Sequence, residues 1–437
     1  MRAPGVRATS FLVALAASLA GAQTLTWEHL VGGYVRDLSL NAAKGKVGEL
    51  EGAQGLQLWD DLELRYGAKR SDLRKQEFGL RVSPAGLGEL RANRNLSRAR
   101  RGLGEAVLYQ KTAEAIRDRY KLALDWRFQA LQRVYHLEMA DMYAQRIAAL
   151  ARLVSDERFD PEDLVKAQVR RAEYLAKAEG DVYKLAQIEH HMRQFVPGMG
   201  EVRLDGELKS PLEIDAVLSG VDPSRGDSFP DIRVPEQELS VVRAKTDQEV
   251  ASSRRWISYV EVGYTVDVDE NSKEERTHRD NISFGAGVKI PLFDGSSREI
   301  ARRRADLAEA RLDYQDDRED IERLVAELRL SIGSMARQVA VLDSFASKVD
   351  AGGLFADFAL KSGGDPLLLL SARQTSIENR WMIDELRFLM LYDYLEILYN
   401  TGILVRNPTV NHLLAANPKL AAAPEPTAAE KDRSRTR

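Results

Sequence analysis

The sequence offers one cluster of metal-ligand side chains. Glu189, His190 and His191 are adjacent, but neighbouring histidines point to different faces of a helix and lack the i, i+4 spacing of a helical zinc site. The chain has no cysteine, which excludes disulfides, thiolate metal ligands and cysteine nucleophiles. No phosphate-binding loop, nucleophile elbow or pair of catalytic carboxylates stands out. We therefore predict no enzyme activity, no bound metal and no cofactor.

Two aspartate–proline pairs are better explained as turns between helices. Asp160-Pro161 and Asp365-Pro366 each follow a long helical pattern. Aspartate caps the first amides of a helix and proline suits its first turn, so each pair predicts the start of a return helix. The first return helix is expected to end near Phe195.

Long helices must position these turns. Apolar residues at steps of three and four run from about Leu87 to Val154 and from Ser296 to about Leu360, which is the spacing of a helical seam. The second stretch, of ~65 residues, would be close to ~100 Å long at ~1.5 Å per residue. Such a helix cannot bury itself in a compact domain, so we expect long antiparallel packing. Thr24 to Gln57 is also expected to be helical.

Two pairs of strands precede the long helices. The first pair covers Leu58 to Arg70 and a strand ending at Pro84, and the second pair ends at Pro291. Side chains alternate across a strand, so each strand has one apolar and one polar face. Polar positions of the second pair are Glu261, Asp267, Gly285, Gly287 and Lys289, and apolar positions of its last strand are Ile282, Phe284, Ala286, Val288 and Ile290.

The order helix, strand, strand, long helix, turn, helix occurs twice. Leu62 to Tyr66 matches Val260 to Tyr264, and the two aspartate–proline pairs are followed by leucine and alanine at the same spacing, as in an internal repeat. The predicted divisions are a signal peptide at 1–22, a first repeat at 23–196, a connector at 197–235 with a short helix at Pro211 to Leu218, a second repeat at 236–408 and a disordered tail at 409–437.

The N-terminus predicts export from the cytoplasm. Arg2 and Arg7 precede the apolar run Phe11 to Ala17, and Ala20-Gly21-Ala22 is a small-x-small cleavage site, so cleavage is expected after Ala22. No later stretch approaches the ~20 apolar residues of a spanning helix. The formal net charge of −4 with 30% charged residues does not indicate a nucleic-acid-binding protein.

The four strands are each long enough to cross a bilayer as tilted strands. An isolated four-stranded sheet in lipid would leave two edges with unpaired amides, so it would have to close with other chains. Three chains with four strands each would give a 12-stranded barrel. An ordinary sandwich or meander shows the same alternation, and the long helices are what favour the membrane interpretation.

Several segments resemble the TolC-type outer-membrane efflux proteins. The most specific is Gly287 to Gly295, with Ile-Pro-Leu-Phe-Asp-Gly at the end of a strand; Gly363 to Gln374, Leu25 to Leu30 and Asp163 to Gln168 resemble other parts of that family. The resemblance implies a mainly α fold with membrane β: a homotrimer with a 12-stranded outer-membrane β-barrel and a periplasmic α-helical barrel. It also implies an adaptor protein and an inner-membrane pump as partners, besides outer-membrane lipid.

The resemblance places the functional residues at the turns. The periplasmic tip, where an adaptor would dock and a gate would close, corresponds to Asp156, Arg158, Asp160, Pro161, Asp163, Leu164, Gly363, Gly364, Asp365, Pro366 and Leu369. Strand-to-helix turns correspond to Pro84, Pro291, Phe293, Asp294 and Gly295. Glycine costs about 1 kcal/mol in a helix relative to alanine, so Gly352 and Gly353 should weaken the long helix locally. They are a candidate hinge for opening the tip, and a local kink is the alternative.

Arginine triplets follow the strands in both repeats: Arg98, Arg100 and Arg101, then Arg302, Arg303 and Arg304. They could meet lipid phosphates or the lower barrel rim, or simply form a solvated helix face. The function predicted for the whole chain is the exit duct of a tripartite efflux or type I secretion system. The alternative is a soluble periplasmic coiled-coil scaffold or adaptor.

Overall fold

The computed structural model describes residues 23–52, 59–68, 75–153, 160–221, 229–255, 257–268, 278–288, 296–351 and 366–415. The helices are α1 (Trp27–Gly32), α2 (Leu38–Gly52), α3 (Leu87–Arg152), α4 (Pro161–Phe195), α5 (Pro211–Ser219), α6 (Pro230–Ser253), α7 (Ser296–Ala351), α8 (Pro366–Asn400) and α9 (Ile403–Arg406). The strands are β1 (Gln23–Leu25), β2 (Trp59–Ala68), β3 (Lys75–Pro84), β4 (Met199–Val202), β5 (Ile257–Val268) and β6 (His278–Val288). The fold is predominantly helical, as predicted.

The chain divides into two compact units. Unit 1 comprises Met1–Leu40, Thr112–Phe229 and Glu322–Arg437, and unit 2 comprises Asn41–Lys111 and Pro230–Ile321. In the part of the chain that the structure describes, none of the helices is both long and apolar enough to span a membrane.

Unit 2 contains an antiparallel sheet with the strand order β2-β3-β5-β6. Its strands have 10, 10, 12 and 11 residues. The start of α3 packs against α6 beside the sheet, where Leu96 contacts Val241 and Ala244. The Gln248 side chain donates to Asn93 Oδ1 at 2.7 Å, and this bond also joins α6 to α3.

Unit 1 contains the C-terminal parts of the long helices α3 and α7 and the return helices α4 and α8. The predicted bounds of α3 and α4 are confirmed to within two residues. Helix α3 is observed at Leu87–Arg152 with 66 residues, and α4 at Pro161–Phe195 with 35 residues. The predicted short helix of the connector is observed as α5, with a capping box between Ser210 and Glu213. A two-stranded parallel pair, β1 with β4, lies in this unit.

The single helix predicted for Thr24 to Gln57 is wrong. Strand β1 comes first, and a 3-10 turn at Gly33–Arg36 separates α1 from α2. Asp37 then has an extended backbone (φ −63°, ψ 131°), and its carboxylate accepts hydrogen bonds from the Ser39 amide at 3.0 Å and hydroxyl at 2.7 Å. The aspartate side chain thus replaces the helical partner of that amide and interrupts the helix.

The start of the predicted tail, 409–437, needs correction as well. Val410 accepts a hydrogen bond from the Tyr120 hydroxyl at 3.0 Å through its carbonyl, Leu413 is fully buried, and Leu414 pairs with Leu208. The chain therefore remains packed to at least Ala415, because burying these apolar side chains offsets the cost of ordering them. Residues 416–437 lie outside the described residues.

Candidate functional site

The first turn of α4 has the cap that the sequence predicts. Asp160 is its N-cap, with the carboxylate accepting from the Glu162 amide at 2.8 Å, and Pro161 occupies the first turn. Lys166 pairs with Glu162 at 2.8 Å. Asp160, Glu162 and the neighbouring Asp163 are exposed, so the helix begins with acidic groups that its N-terminal dipole stabilises.

The starts of the two return helices meet at one apolar cluster, which we call the tip cluster. Leu164 of α4 and Leu367 of α8 pack against it from the first turns of their helices. Its buried members are Met139, Met142, Tyr143, Leu150, Ala167 and Ile377. Because both helix starts contact the same cluster, the first turn of α4 and the first turn of α8 lie at the same end of unit 1.

Other predicted tip residues are only partly described. Pro366 is exposed and Leu369 is half-buried, and Leu369 is not a member of the tip cluster. The predicted residues that lie outside the described part of the chain are Asp156, Arg158, Gly363, Gly364 and Asp365 at the tip, Gly352 and Gly353 at the candidate hinge, and Pro291, Phe293, Asp294 and Gly295 at the second strand-to-helix turn.

Ion pairs between α3 and α8 were missed by the sequence analysis. Arg373 donates to the Gln145 side chain at 2.8 Å and lies 3.6 Å from Asp141, and Arg380 pairs with Glu138. These side chains are largely exposed, so each pair is worth less than about 1 kcal/mol. Both arginines lie on the side of α8 that faces α3.

Aromatic side chains join the same two helices. Tyr135 stacks on Trp381 with ring centroids 4.8 Å apart, and Phe128 lies 5.5 Å from Trp381 and 5.3 Å from Phe388. Phe128 and Tyr135 are seven residues apart, as are Trp381 and Phe388, so each pair shares a helix face. That spacing is the signal that could have identified this contact.

A buried polar group joins α3 to α4. His136 Nδ1 lies 2.6 Å from Asp181 Oδ2, and the Gln129 amide donates to Asp181 Oδ1 at 2.7 Å. All three side chains are buried. A buried carboxylate needs such partners, so this contact sets the register between the two helices. Nothing in the local sequence indicates that these residues meet.

His190 and His191 do not gather further metal ligands. Glu189 instead accepts from Trp126 at 3.2 Å and pairs with Arg193 at 2.9 Å. No group of three histidine or carboxylate side chains within the described ranges could hold a metal ion.

A buried arginine fixes the N-terminal segment to α3 in unit 1. The Arg119 guanidinium donates to the Ala115 carbonyl at 2.7 Å and to Asp37 at 3.3 Å. Burial lowers the pKa of Arg119 although Asp37 opposes that effect.

Burial raises the pKa of Tyr120 to about 12 and lowers that of His412, whose ring Nε2 lies 3.1 Å from the Asn407 carbonyl.

One face of the sheet of unit 2 is apolar over three consecutive rows, and the next row, which contains Gln76 and Asp280, is partly polar. The three apolar rows of paired residues cross all four strands: Leu62, Val82, Val260 and Ala286; Leu64, Leu80, Val262 and Phe284; Tyr66, Phe78, Tyr264 and Ile282. Most of these side chains are exposed, with Leu64 and Phe284 both 80% exposed. A soluble monomer rarely exposes so continuous an apolar surface.

The opposite face of the sheet is polar. Arg65 pairs with Glu63 at 2.9 Å and lies 4.0 Å from Glu261, and the Arg81 guanidinium lies 3.4 Å from the centre of the Tyr259 ring. The predicted alternation is thus observed for the described strand residues. Pro84 ends β3 opposite Trp59, as predicted for the first strand-to-helix turn, and Lys289 and Ile290 lie outside the described residues.

No protein-family model matches the chain, and neither does any curated protein sequence. Solved structures do match. One is CusC, whose structures describe conformational changes that accompany folding and transmembrane channel formation. It is 15% identical to this chain with a TM-score of 0.65, and the match covers 85% of this chain and 91% of CusC. The outer-membrane protein VceC from Vibrio cholerae is 12% identical with a TM-score of 0.62, covering 86% and 95%.

The open-state MtrE outer-membrane channel from Neisseria gonorrhoeae is similar as well, at 12% identity with a TM-score of 0.62, covering 86% of this chain and 88% of MtrE. These relatives are channel proteins and not enzymes. At such identities the likeness establishes architecture: this chain has the fold of the TolC-type outer-membrane efflux channels.

Proposed function

We propose that this chain is the outer-membrane exit duct of a tripartite efflux or type I secretion system. The observation that carries the proposal is the sheet of unit 2, which has an exposed apolar face and a polar face on strands of bilayer-spanning length. The fold shared with outer-membrane channels supports the same function. Transport through the duct is passive, and the energy comes from a partner pump.

The edges of the sheet favour assembly of several copies. Strands β2 and β6 each pair on one side only within the described sheet. In lipid, each unpaired backbone group costs several kcal/mol, so the edges must pair with those of other chains. Three copies with four strands each form a closed 12-stranded barrel, with the apolar rows facing lipid and the polar face lining the lumen.

Unit 1 supplies the periplasmic part of the duct. We propose that α3, α4, α7 and α8 of three copies pack side by side as an α-helical barrel. Several apolar side chains on these helices are at least half exposed: Val165 and Val169 on α4, and Val341 and Phe345 on α7. Neighbouring protomers would cover these side chains, which gains about 25 cal/mol per Å² of apolar surface.

The tip cluster positions the proposed docking site for a periplasmic adaptor. It holds the starts of α4 and α8 at one end of unit 1, so the first turns of these two helices lie side by side. The exposed carboxylates Asp160, Glu162 and Asp163 would give this end a negative potential. An adaptor that docks there would connect the duct to an inner-membrane pump.

Membrane fractionation tests the duct. We expect the native protein to remain with carbonate-washed outer membranes and to be extracted by mild detergent at the mass of a trimer. Recovery as a soluble periplasmic protein would refute the proposal and support the coiled-coil scaffold.

Site-specific cross-linking tests the docking site, because the chain has no cysteine of its own. Asp163→Cys places a thiol at the tip, and Lys184→Cys places one on an exposed position 21 residues further along α4. With a thiol-reactive photo-cross-linker we expect the first variant to capture a periplasmic adaptor and the matched control not to. Equal capture by both variants would contradict docking at the tip.

A further inference from the structure

Arginines form a stripe on the first part of α3. Arg91, Arg94 and Arg98 are exposed and follow one another at steps of three and four residues, so they share one helix face. That face is opposite the one that packs against α6 through Leu96. The first fifteen residues of α3 hold five arginines and one glutamate, although the whole chain has a formal net charge of −4.

The start of α7 has the same character. Its first ten residues contain four arginines and one glutamate, and Arg298 and Arg302 lie four residues apart on an exposed face. Arg254 follows the end of α6 and is exposed too. Within the described residues, no ion pair is formed by Arg91, Arg94, Arg254 or Arg298.

The strand register places these arginines beside one end of the sheet. Pro84 pairs with Trp59 and Ile257 pairs with Val288, so the helices that follow β3 and β6 and the helix that precedes β5 all adjoin this end. Arg91 is the fifth residue of α3 and Arg298 the third of α7. At ~1.5 Å per residue they lie within about 3–6 Å of the helix starts.

We propose that Arg91, Arg94, Arg254 and Arg298 form a binding surface for anionic phospholipid headgroups, which we call the arginine collar. The inference rests on the proposed function, because the apolar rows of the sheet end where the collar begins. A bilayer around the apolar rows would place its phosphate layer at that level. Guanidinium groups bind phosphate oxygens through paired hydrogen bonds, and the four collar arginines are exposed and form no ion pair within the described residues.

The collar should therefore select lipids by headgroup charge. Each arginine near an anionic membrane surface is worth about fivefold in association, so we expect at least about a fivefold preference for phosphatidylglycerol over phosphatidylcholine. The preference should fall as salt is raised, because exposed charges are screened.

The test uses the full-length trimer reconstituted in vesicles of phosphatidylcholine. Tryptophan fluorescence is titrated with brominated phosphatidylglycerol or brominated phosphatidylcholine, and the ratio of the two association constants is measured. The test variant combines Arg91→Gln, Arg94→Gln and Arg298→Gln. The matched control removes three exposed arginines of unit 1, with Arg133→Gln, Arg171→Gln and Arg337→Gln.

We expect the preference to fall to about one in the test variant and to persist in the control. Substitution of the same three collar arginines by lysine should retain most of it, which separates charge from folding. A ratio of one in the wild type, or equal losses in the test and control variants, would overturn the collar. If neither brominated lipid quenches the fluorescence, the protein does not span the bilayer, and the proposed duct itself fails.

Discussion

The assignment of the two sheet faces predicts that a charged substitution is strongly destabilising at one residue and nearly neutral at the adjacent one. Phe284 lies one residue past the centre of the 11-residue strand β6, in the row with Leu64, Leu80 and Val262, and is 80% exposed. At ~3.4 Å per residue it is within about 4 Å of the strand centre. An arginine on the lipid face near the bilayer midplane costs about 2–4 kcal/mol.

We therefore expect Phe284→Arg to lower the ratio of assembled to unassembled protein by about 30- to 800-fold per chain, since about 1.4 kcal/mol corresponds to a factor of ten. Ser283→Arg is the matched control. Its side chain lies on the polar face, in a row with Gly263 and Gly79, and these two glycines leave room beside it for arginine. We expect a change within about 0.5 kcal/mol.

The assay is the fraction of heat-modifiable trimer in isolated outer membranes, followed by urea titration of the same protein refolded into vesicles. The reasoning would be refuted if Ser283→Arg reduced assembly as much as Phe284→Arg, or more. Such a result would mean that the exposed apolar rows do not face lipid.

Three further predictions concern unit 1. Asp181→Ala leaves the buried His136 ring without its acceptor, so we expect the free energy of unfolding, measured by urea titration, to fall by about 2 kcal/mol or more. Asp160→Ala removes the N-cap of α4 and should cost about 1 kcal/mol, seen as faster amide exchange in the first turn of α4. Burial lowers the pKa of His412 below its usual 6.5, so the unfolded state binds its proton first as pH falls. Stability from this group should be complete above pH 6.5 and decrease below it, measured as the urea midpoint against pH.

Each of these predictions has its own control. Asp181→Asn keeps an acceptor for the imidazole, so a loss equal to that of the alanine variant would contradict the hydrogen-bond explanation. Asp160→Asn should retain the cap, and exchange as fast as in Asp160→Ala would contradict the assigned role. His412→Gln should have a weaker decrease in stability below pH 6.5, and an unchanged pH dependence would show that other groups cause it.

The elements of this fold could be predicted because their signals are local. Helices α3 and α4 end within two residues of the positions that seam spacing and the Asp160-Pro161 pair indicate. Strand alternation correctly separates the apolar and polar faces of β5 and β6. Prediction failed at Asp37, where one side chain offers the backbone an alternative to the helix, and at Val410, whose carbonyl accepts a hydrogen bond from Tyr120, 290 positions earlier in the sequence.

In the candidate site, too, local features could be predicted from the sequence and contacts between distant residues could not. The cap at Asp160 is visible in the sequence because an N-cap needs only its own first turn. The meeting of Leu164 with Leu367 at the tip cluster, and of His136 with Asp181, is not visible, because neither local spacing nor residue type specifies a partner so far along the chain.

The sequence by itself determined where α3, α4 and the four strands of the unit 2 sheet lie and which side of each strand is apolar, since periodicity follows from backbone geometry alone. Tertiary structure decided the register. Only the pairing of β3 with β5 aligns the apolar residues of both strand pairs into continuous rows, and a shift of one residue would have moved a strand's apolar side chains to the polar face. The same pairing brings the arginines of α3 and α7, more than 200 residues apart in the chain, to one end of the sheet.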